Sequence, residues 1–219
     1  MDWMAQVDAY CERTDFTYWS EPVNALTNAA FLVVAAVMWR RTGGLPLGRA
    51  LCVVLAAIGV GSYLFHTQAT LWASAADVLP ILGFILLYLY AANRTYWGLR
   101  VWPALGLTTL FFPYAAATGW AFGQLSWLGS SAGYAPVALL ILVYAGLLAR
   151  RAPATARGLA LGAGLLIVSL TFRTLDEPVC AGFPLGTHFL WHILNGAMLG
   201  WMIEVYRRHH ARFAPGPAA

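Results

Sequence analysis

The sequence has 219 residues, of which 60% are apolar and only 10% charged. A soluble domain of this length carries roughly a quarter charged residues, so there is too little polar surface here to cover a water-soluble body. All 13 basic residues are Arg; without a Lys amine no retinal Schiff base can form, and the net charge of +4 sits at helix ends rather than in a nucleic-acid-binding patch.

Residues 1–21 are polar, acidic and aromatic. They lack a basic stretch followed by an apolar one, so no signal peptide is expected. Asp8, Glu12, Asp15 and Glu21 place four acids within 14 residues. Two readings are open. Calcium takes six to eight oxygen ligands, and these carboxylates could supply some of them; or the segment is a solvated acidic stretch that keeps the N-terminus outside. The spacing is not that of an EF-hand and favours the second.

Apolar runs follow at Pro22–Trp39, Leu47–Phe65, Ser74–Ala92, Val101–Trp120, Tyr134–Leu148, Gly158–Phe172 and Gly186–Tyr206. Each is near the ~20 residues that cross ~30 Å of hydrocarbon, the fifth and sixth being short. Arg40, Arg41 and Arg49 follow the first run, Arg94 and Arg100 the third, Arg150, Arg151 and Arg157 the fifth, and Arg207, Arg208 and Arg212 the seventh. With seven spans all eleven fall on one side, and only Arg13 and Arg173 on the other. The positive-inside rule makes the first side cytoplasmic. The acids are the mirror image, Glu204 alone being inner. Removing any one span would scramble this pattern. The expected architecture is therefore an all-α bundle of seven transmembrane helices in a single domain. Its N-terminal segment, 1–21, is outside, and 208–219 form a cytoplasmic tail. No internal repeat is visible.

Ionisable residues in membrane segments are costly and mark function. His66 ends the second run, Asp77 begins the third, and His188 and His192 lie in the first turns of the seventh, all at the outer end. The i, i+4 spacing of His188 and His192 projects both imidazoles from one helical face, and His66 adds a third from another helix. Three His plus water is a tetrahedral catalytic zinc set with an open position. Ser62 lies four residues before His66, on the same face. Asn24, Asn28 and Asn195 read as inter-helix hydrogen-bonding groups; Asn195, seven residues after His188, could also support the metal ligands. His209 and His210 belong to the basic inner tail. Of three cysteines, Cys52 is inner; Cys11 and Cys180 are outer and can pair in an oxidising space.

These residues resemble the alkaline ceramidase family, within the superfamily of seven-helix membrane hydrolases that also holds the progestin and adiponectin receptors. The matching motifs are Tyr10-Cys11-Glu12, Glu21-Pro22-Val23-Asn24, Ser62-x-x-x-His66 with Asp77 eleven residues on, and His188-x-x-x-His192 within Trp191-His192-Ile193-Leu194. They span nearly the whole chain in family order. The run Asp8-Ala9-Tyr10-Cys11-Glu12 is one residue longer than the family's Asp-Trp-Cys-Glu. The resemblance implies a zinc amidase that cleaves the N-acyl bond of ceramide or a related lipid amide, with zinc-bound water as nucleophile. It implies His66, His188 and His192 as zinc ligands, Asp77 as acid/base, and Ser62 as the serine beside the metal. Glu12, Glu21 and Asp8 correspond to its calcium ligands, and Asp15 in the same acidic segment is a further candidate. Cys11 and Cys180 correspond to its disulfide, and Asn24 and Asn195 flank the site. Membrane lipids are the expected partners, and the expected location is a bacterial inner membrane with the site toward the periplasm. The rival is a receptor-like or scaffold protein that binds lipid and metal without turnover, for which a carboxylate beside the metal water is unnecessary. A transporter is disfavoured by the absence of inverted repeats and mid-membrane charge.

Overall fold

The computed structural model describes residues 2–213. It is helical throughout: α1 (Pro22–Thr27), α2 (Ala29–Arg41), α3 (Pro46–Gln68), α4 (Leu71–Thr95), α5 (Val101–Thr109), α6 (Phe111–Gly123), α7 (Ala135–Leu148), α8 (Pro153–Val179) and α9 (His188–Phe213), with a 3₁₀ turn at Ser126–Ser131. Among the described residues the one β feature is an isolated bridge between Gln6 and Thr70. Proline opens α1, α3, α7 and α8, where its missing N–H costs nothing and its fixed φ favours the helix.

Among the described residues four stretches are long and apolar enough to cross a membrane: Pro22–Arg41, Pro46–Gln68, Leu71–Thr95 and Pro153–Val179. The first contains both α1 and α2, which bend at Asn28. There Thr27 Oγ1 donates to the Val23 carbonyl (2.8 Å) and Asn28 Nδ2 to the Asn24 carbonyl (2.9 Å). Such back-bonding competes with the helix ladder and bends it. The fourth apolar run divides into α5 and α6 at Leu110. Pro113 has no N–H to offer the Thr109 carbonyl four residues back, which breaks the ladder at that point. Helix α7 has 14 residues. Helix α9 has 26, but histidines, Glu204 and arginines dilute its apolar content. It continues as helix to Phe213, past the expected start of a tail at 208; residues 214–219 lie outside the described part. Hydropathy marks the apolar middle of a helix, whereas backbone hydrogen bonds carry α8 and α9 beyond it.

In sequence, α3 packs on α4, α7 on α8, and α8 on α9, while α2 packs on both α3 and α9. Phe31, Leu51, Leu55, Ile58, Leu159 and Ile203 are buried in the shared core. Val33, Val60, Leu79, Leu107, Leu147, Leu161 and Ile167 point outward and are exposed, a surface suited to lipid. The close approach of α3 to α4 depends on Gly61, where a Cβ would run into the Ala76 carbonyl. Pro80, four residues on, leaves that carbonyl without its helical N–H donor. At one end of the bundle Glu204 accepts from Arg41 (3.0 Å), Arg207 (2.8 Å) and Arg208 (2.7 Å), tying α2 to α9. His188 and His192 lie toward the other end of α9, His192 roughly 18 Å along the helix from Glu204 at 1.5 Å per residue.

Candidate metal centre

Helix α3 ends in a left-handed residue, Ala69, at φ 46°. The N-terminal segment docks on this turn: Val7 N–H donates to Ala69 O (2.8 Å), Leu71 N–H to Ala5 O (3.0 Å) and Trp72 N–H to Trp3 O (3.1 Å). The last turn of α3 therefore lies under a lid of chain, and His66 within it is fully buried. Asp176 sets the start of α9. Its Oδ1 accepts the N–H groups of Thr187 (2.7 Å) and His188 (2.8 Å), and its Oδ2 that of Cys11 (3.0 Å). A carboxylate closing on the first N–H groups of a helix satisfies orphan donors and complements the helix dipole. Gly186, at φ +64°, makes the turn before α9 possible; a Cβ there would meet Asp176 and Cys11. A Cys11–Cys180 disulfide with Cα atoms 5.5 Å apart fastens the N-terminal segment just after α8.

This framework brings His66, His188 and His192 together. All three are buried, and one ring nitrogen from each lies within 4.8 Å of the others. His66 Nδ1–H donates to Glu21 Oε2 (2.6 Å). His192 Nδ1 meets Thr27 Oγ1 (2.9 Å), whose own hydrogen goes to the Val23 carbonyl, so Nδ1 is the donor. The nitrogens left with no partner are His66 Nε2, His192 Nε2 and His188 Nδ1. An unpaired buried acceptor costs ~1–3 kcal/mol, and a common partner would relieve three at once. The three histidines could hold a metal ion: neutral imidazole nitrogens are usual metal ligands, and carboxylate or hydroxyl groups commonly hold their opposite nitrogens. The donor set fits zinc.

Asp77 lies in the second turn of α4, partly buried, with Ser62, His66 and Arg173 as its polar neighbours. The Gly61 contact, one residue before Ser62 and against Ala76 and Asp77, produces this adjacency. Tyr10 stacks on the His188 ring at 3.7 Å between centroids, and its hydroxyl accepts from Arg173 Nη1 (3.0 Å). Burial pushes the Tyr10 phenol up to about 12, with Arg173 pulling the other way. Arg173 also lies over the Tyr134 and Trp191 rings.

The four acids proposed for calcium do not gather around one point. Glu12 and Glu21 are buried; Asp8 and Asp15 are exposed. Glu12 accepts the N–H groups of Val23 and Asn24, both at 2.8 Å, and so closes the start of α1. Burial pushes its carboxyl up, against those two hydrogen bonds. Glu21 takes Arg13 Nε on Oε1 (2.6 Å), and His66 together with Asn24 Nδ2 (3.0 Å) on Oε2. Burial alone would raise Glu21, but His66, Arg13 and Asn24 outweigh it and hold the carboxyl below its usual range. Asp15 Oδ1 accepts from Thr17 (2.6 Å). Among the described residues the His triad is the one group of three metal-ligating side chains. Asn24 stands behind Glu21, whereas Asn195 is buried beside an apolar cavity lined by Ile58, Phe84 and Met198 and makes no hydrogen bond to a histidine.

Thr27, Asp176 and Arg13 have no signature in the sequence. Thr27 sits in an apolar run, and Asp176 and Arg13 read there only as loop charges; their roles need partners 165, 12 and 53 residues away. Over residues 5–212 the chain matches the protein-family model described as Ceramidase. No curated protein matches it.

Proposed function

The chain belongs to the ceramidase family, and on that premise we propose that it is a membrane zinc amidase that hydrolyses the N-acyl bond of ceramide or a related lipid amide. The observation that carries this reading is the convergence of three buried imidazoles whose free nitrogens share no protein partner. A zinc ion held by His66, His188 and His192 supplies Lewis acidity, polarising a carbonyl and lowering the pKa of water toward ~7. Asp77 Oδ takes the proton from the attacking water and passes it to the departing amine, as base and then acid. The Ser62 hydroxyl donates to the oxygen that gains charge as the carbonyl is attacked. Glu21 and Thr27 hold His66 and His192 by their Nδ1 atoms, turning each Nε2 toward the common centre.

Seven segments cross the membrane in this reading: Pro22–Arg41, α3, α4, α5 with α6, α7, α8 and α9. The N-terminus is outside, and the Arg-rich ends of α2 and α9 are cytoplasmic. A site at the outer ends of α3, α4 and α9 lies near headgroup depth, where a lipid with buried tails presents its amide. In a bacterium this face is periplasmic, which agrees with the Cys11–Cys180 disulfide.

The test is elemental analysis of the purified protein combined with a hydrolysis screen of ceramides and other lipid amides in mixed micelles. The expected result is one zinc per chain, release of fatty acid, and loss of both in His192→Ala. Zinc retained without any amide hydrolysis would favour a metal-binding receptor or scaffold, and absence of bound metal would overturn the reading.

A further inference from the structure

The donors around Glu12 and Glu21 do not fit calcium, and the reason is another cation. Calcium takes six to eight oxygens at 2.3–2.6 Å. Here each carboxylate oxygen of Glu12 and Glu21 already accepts an N–H from the protein. Among the described residues the buried side-chain oxygens left without a partner are neutral ones, the amide oxygens of Asn24 and Asn28 and the Thr70 hydroxyl. Arg13 is buried at 6% exposure, and its guanidinium uses all three nitrogens. Nε donates to Glu21 Oε1 (2.6 Å), Nη2 to the His66 carbonyl (2.9 Å) and Nη1 to the Asp15 carbonyl (2.9 Å). Oxygens of the N-terminal segment, of the residue before α1 and of the last turn of α3 thus converge on one positive group. A calcium ion sharing Glu21 would face that guanidinium across a buried carboxylate, where like charges a few ångströms apart repel strongly.

We propose that Arg13 stands in place of the calcium ion the family resemblance implies, so that this chain closes its N-terminal segment over the metal centre without calcium. Arg13 is in consequence a positioning residue for His66. It holds the backbone carbonyl directly, and through Glu21 it fixes the acceptor of His66 Nδ1–H. The planar fork of Arg is what reaches three acceptors in different directions; a Lys ammonium is a point charge on a flexible stem. The positioning role rests on the reading of His66 as a metal ligand, whereas the independence from calcium does not.

The test uses the detergent-solubilised full chain, freed of loosely bound ions, with calcium and zinc as separate probes. Calcium titrated to millimolar levels is expected to give no binding heat and no shift in the unfolding temperature of the parent. Stoichiometric calcium binding, or stabilisation by calcium, would overturn the proposal. Zinc affinity, measured by competition with a chromogenic chelator, is expected to fall about 10- to 100-fold in Arg13→Gln, the range for loss of a group supporting a metal ligand. Parent-like zinc affinity in that variant would remove the positioning role. Should Arg13→Gln fail to fold, Arg13→Lys keeps the charge and loses the fork; its zinc affinity is expected to fall as well, and parent-like affinity there again counts against the role. A parent that binds no zinc would overturn the metal-centre reading and the positioning role with it, leaving the calcium titration to decide the rest.

Discussion

At the scale of single residues, the proposed mechanism gives metal binding and proton transfer to different groups. Asp77 makes no contribution to the triad of nitrogens but lies beside Ser62 and His66. Asp77→Asn is therefore expected to keep zinc and lose turnover by about 10²–10⁴-fold, the usual worth of a positioned acid/base. Zinc content and hydrolysis measured on one preparation check this, and parent-rate hydrolysis would remove the assignment. Thr27 is the acceptor that selects the His192 tautomer. Thr27→Val keeps the shape and removes that acceptor, so zinc affinity is expected to drop about 10- to 100-fold, as read by chelator competition. Unchanged affinity would mean that packing alone, including the nearby Phe31 ring, orients His192.

At the scale of elements, the metal centre depends on how segments distant in the chain are tied together. Among its described residues the N-terminal segment forms no helix before α1. It is held by the bridge at Gln6–Thr70, by Arg13 and Glu12, and by the disulfide from Cys11 to Cys180. That disulfide spans 169 residues of sequence, and loss of a native bridge typically costs about 2–5 kcal/mol. Cys11→Ser is expected to lower the unfolding temperature and to make the protein indifferent to reductant, whereas reductant should destabilise the parent. Equal stability of the two proteins would show that hydrogen bonds to Asp176 and Ala69 suffice to dock the segment. The α3–α4 pair shows the same dependence within the bundle: Gly61 and Pro80 together bring Ser62 beside Asp77, and neither residue carries any chemistry itself.

At the scale of the whole molecule, charge distribution and site position make one prediction about topology. The His cluster and the Glu204–arginine cluster occupy opposite ends of α9. If the arginine end is cytoplasmic, a reporter fused after Ala219 reads as cytoplasmic and a probe at the N-terminus as external. The opposite readout would place the metal centre on the cytoplasmic face, and a reducing compartment would then conflict with the Cys11–Cys180 bridge.

Much of this was already legible in the sequence, because it is encoded over short distances. The apolar runs, the one-sided arginines and the i, i+4 pair His188–His192 are properties of neighbouring residues, and helical geometry turns such spacing directly into depth and face. His66 could be assigned to the same depth by counting residues from the arginines. The division of the first and fourth apolar runs was not legible, since hydropathy does not register a Thr or Asn bonded back to the ladder, or the carbonyl a proline leaves unpaired. Only the tertiary structure decided which imidazole nitrogen stays free, that Asp176 closes the start of α9, and that Glu21 meets a guanidinium where an ion was expected. Each of these is a hydrogen-bond choice between groups far apart in sequence. A buried donor or acceptor takes whichever partner the packed helices bring within reach, and the order of residues along the chain does not say which partner that is.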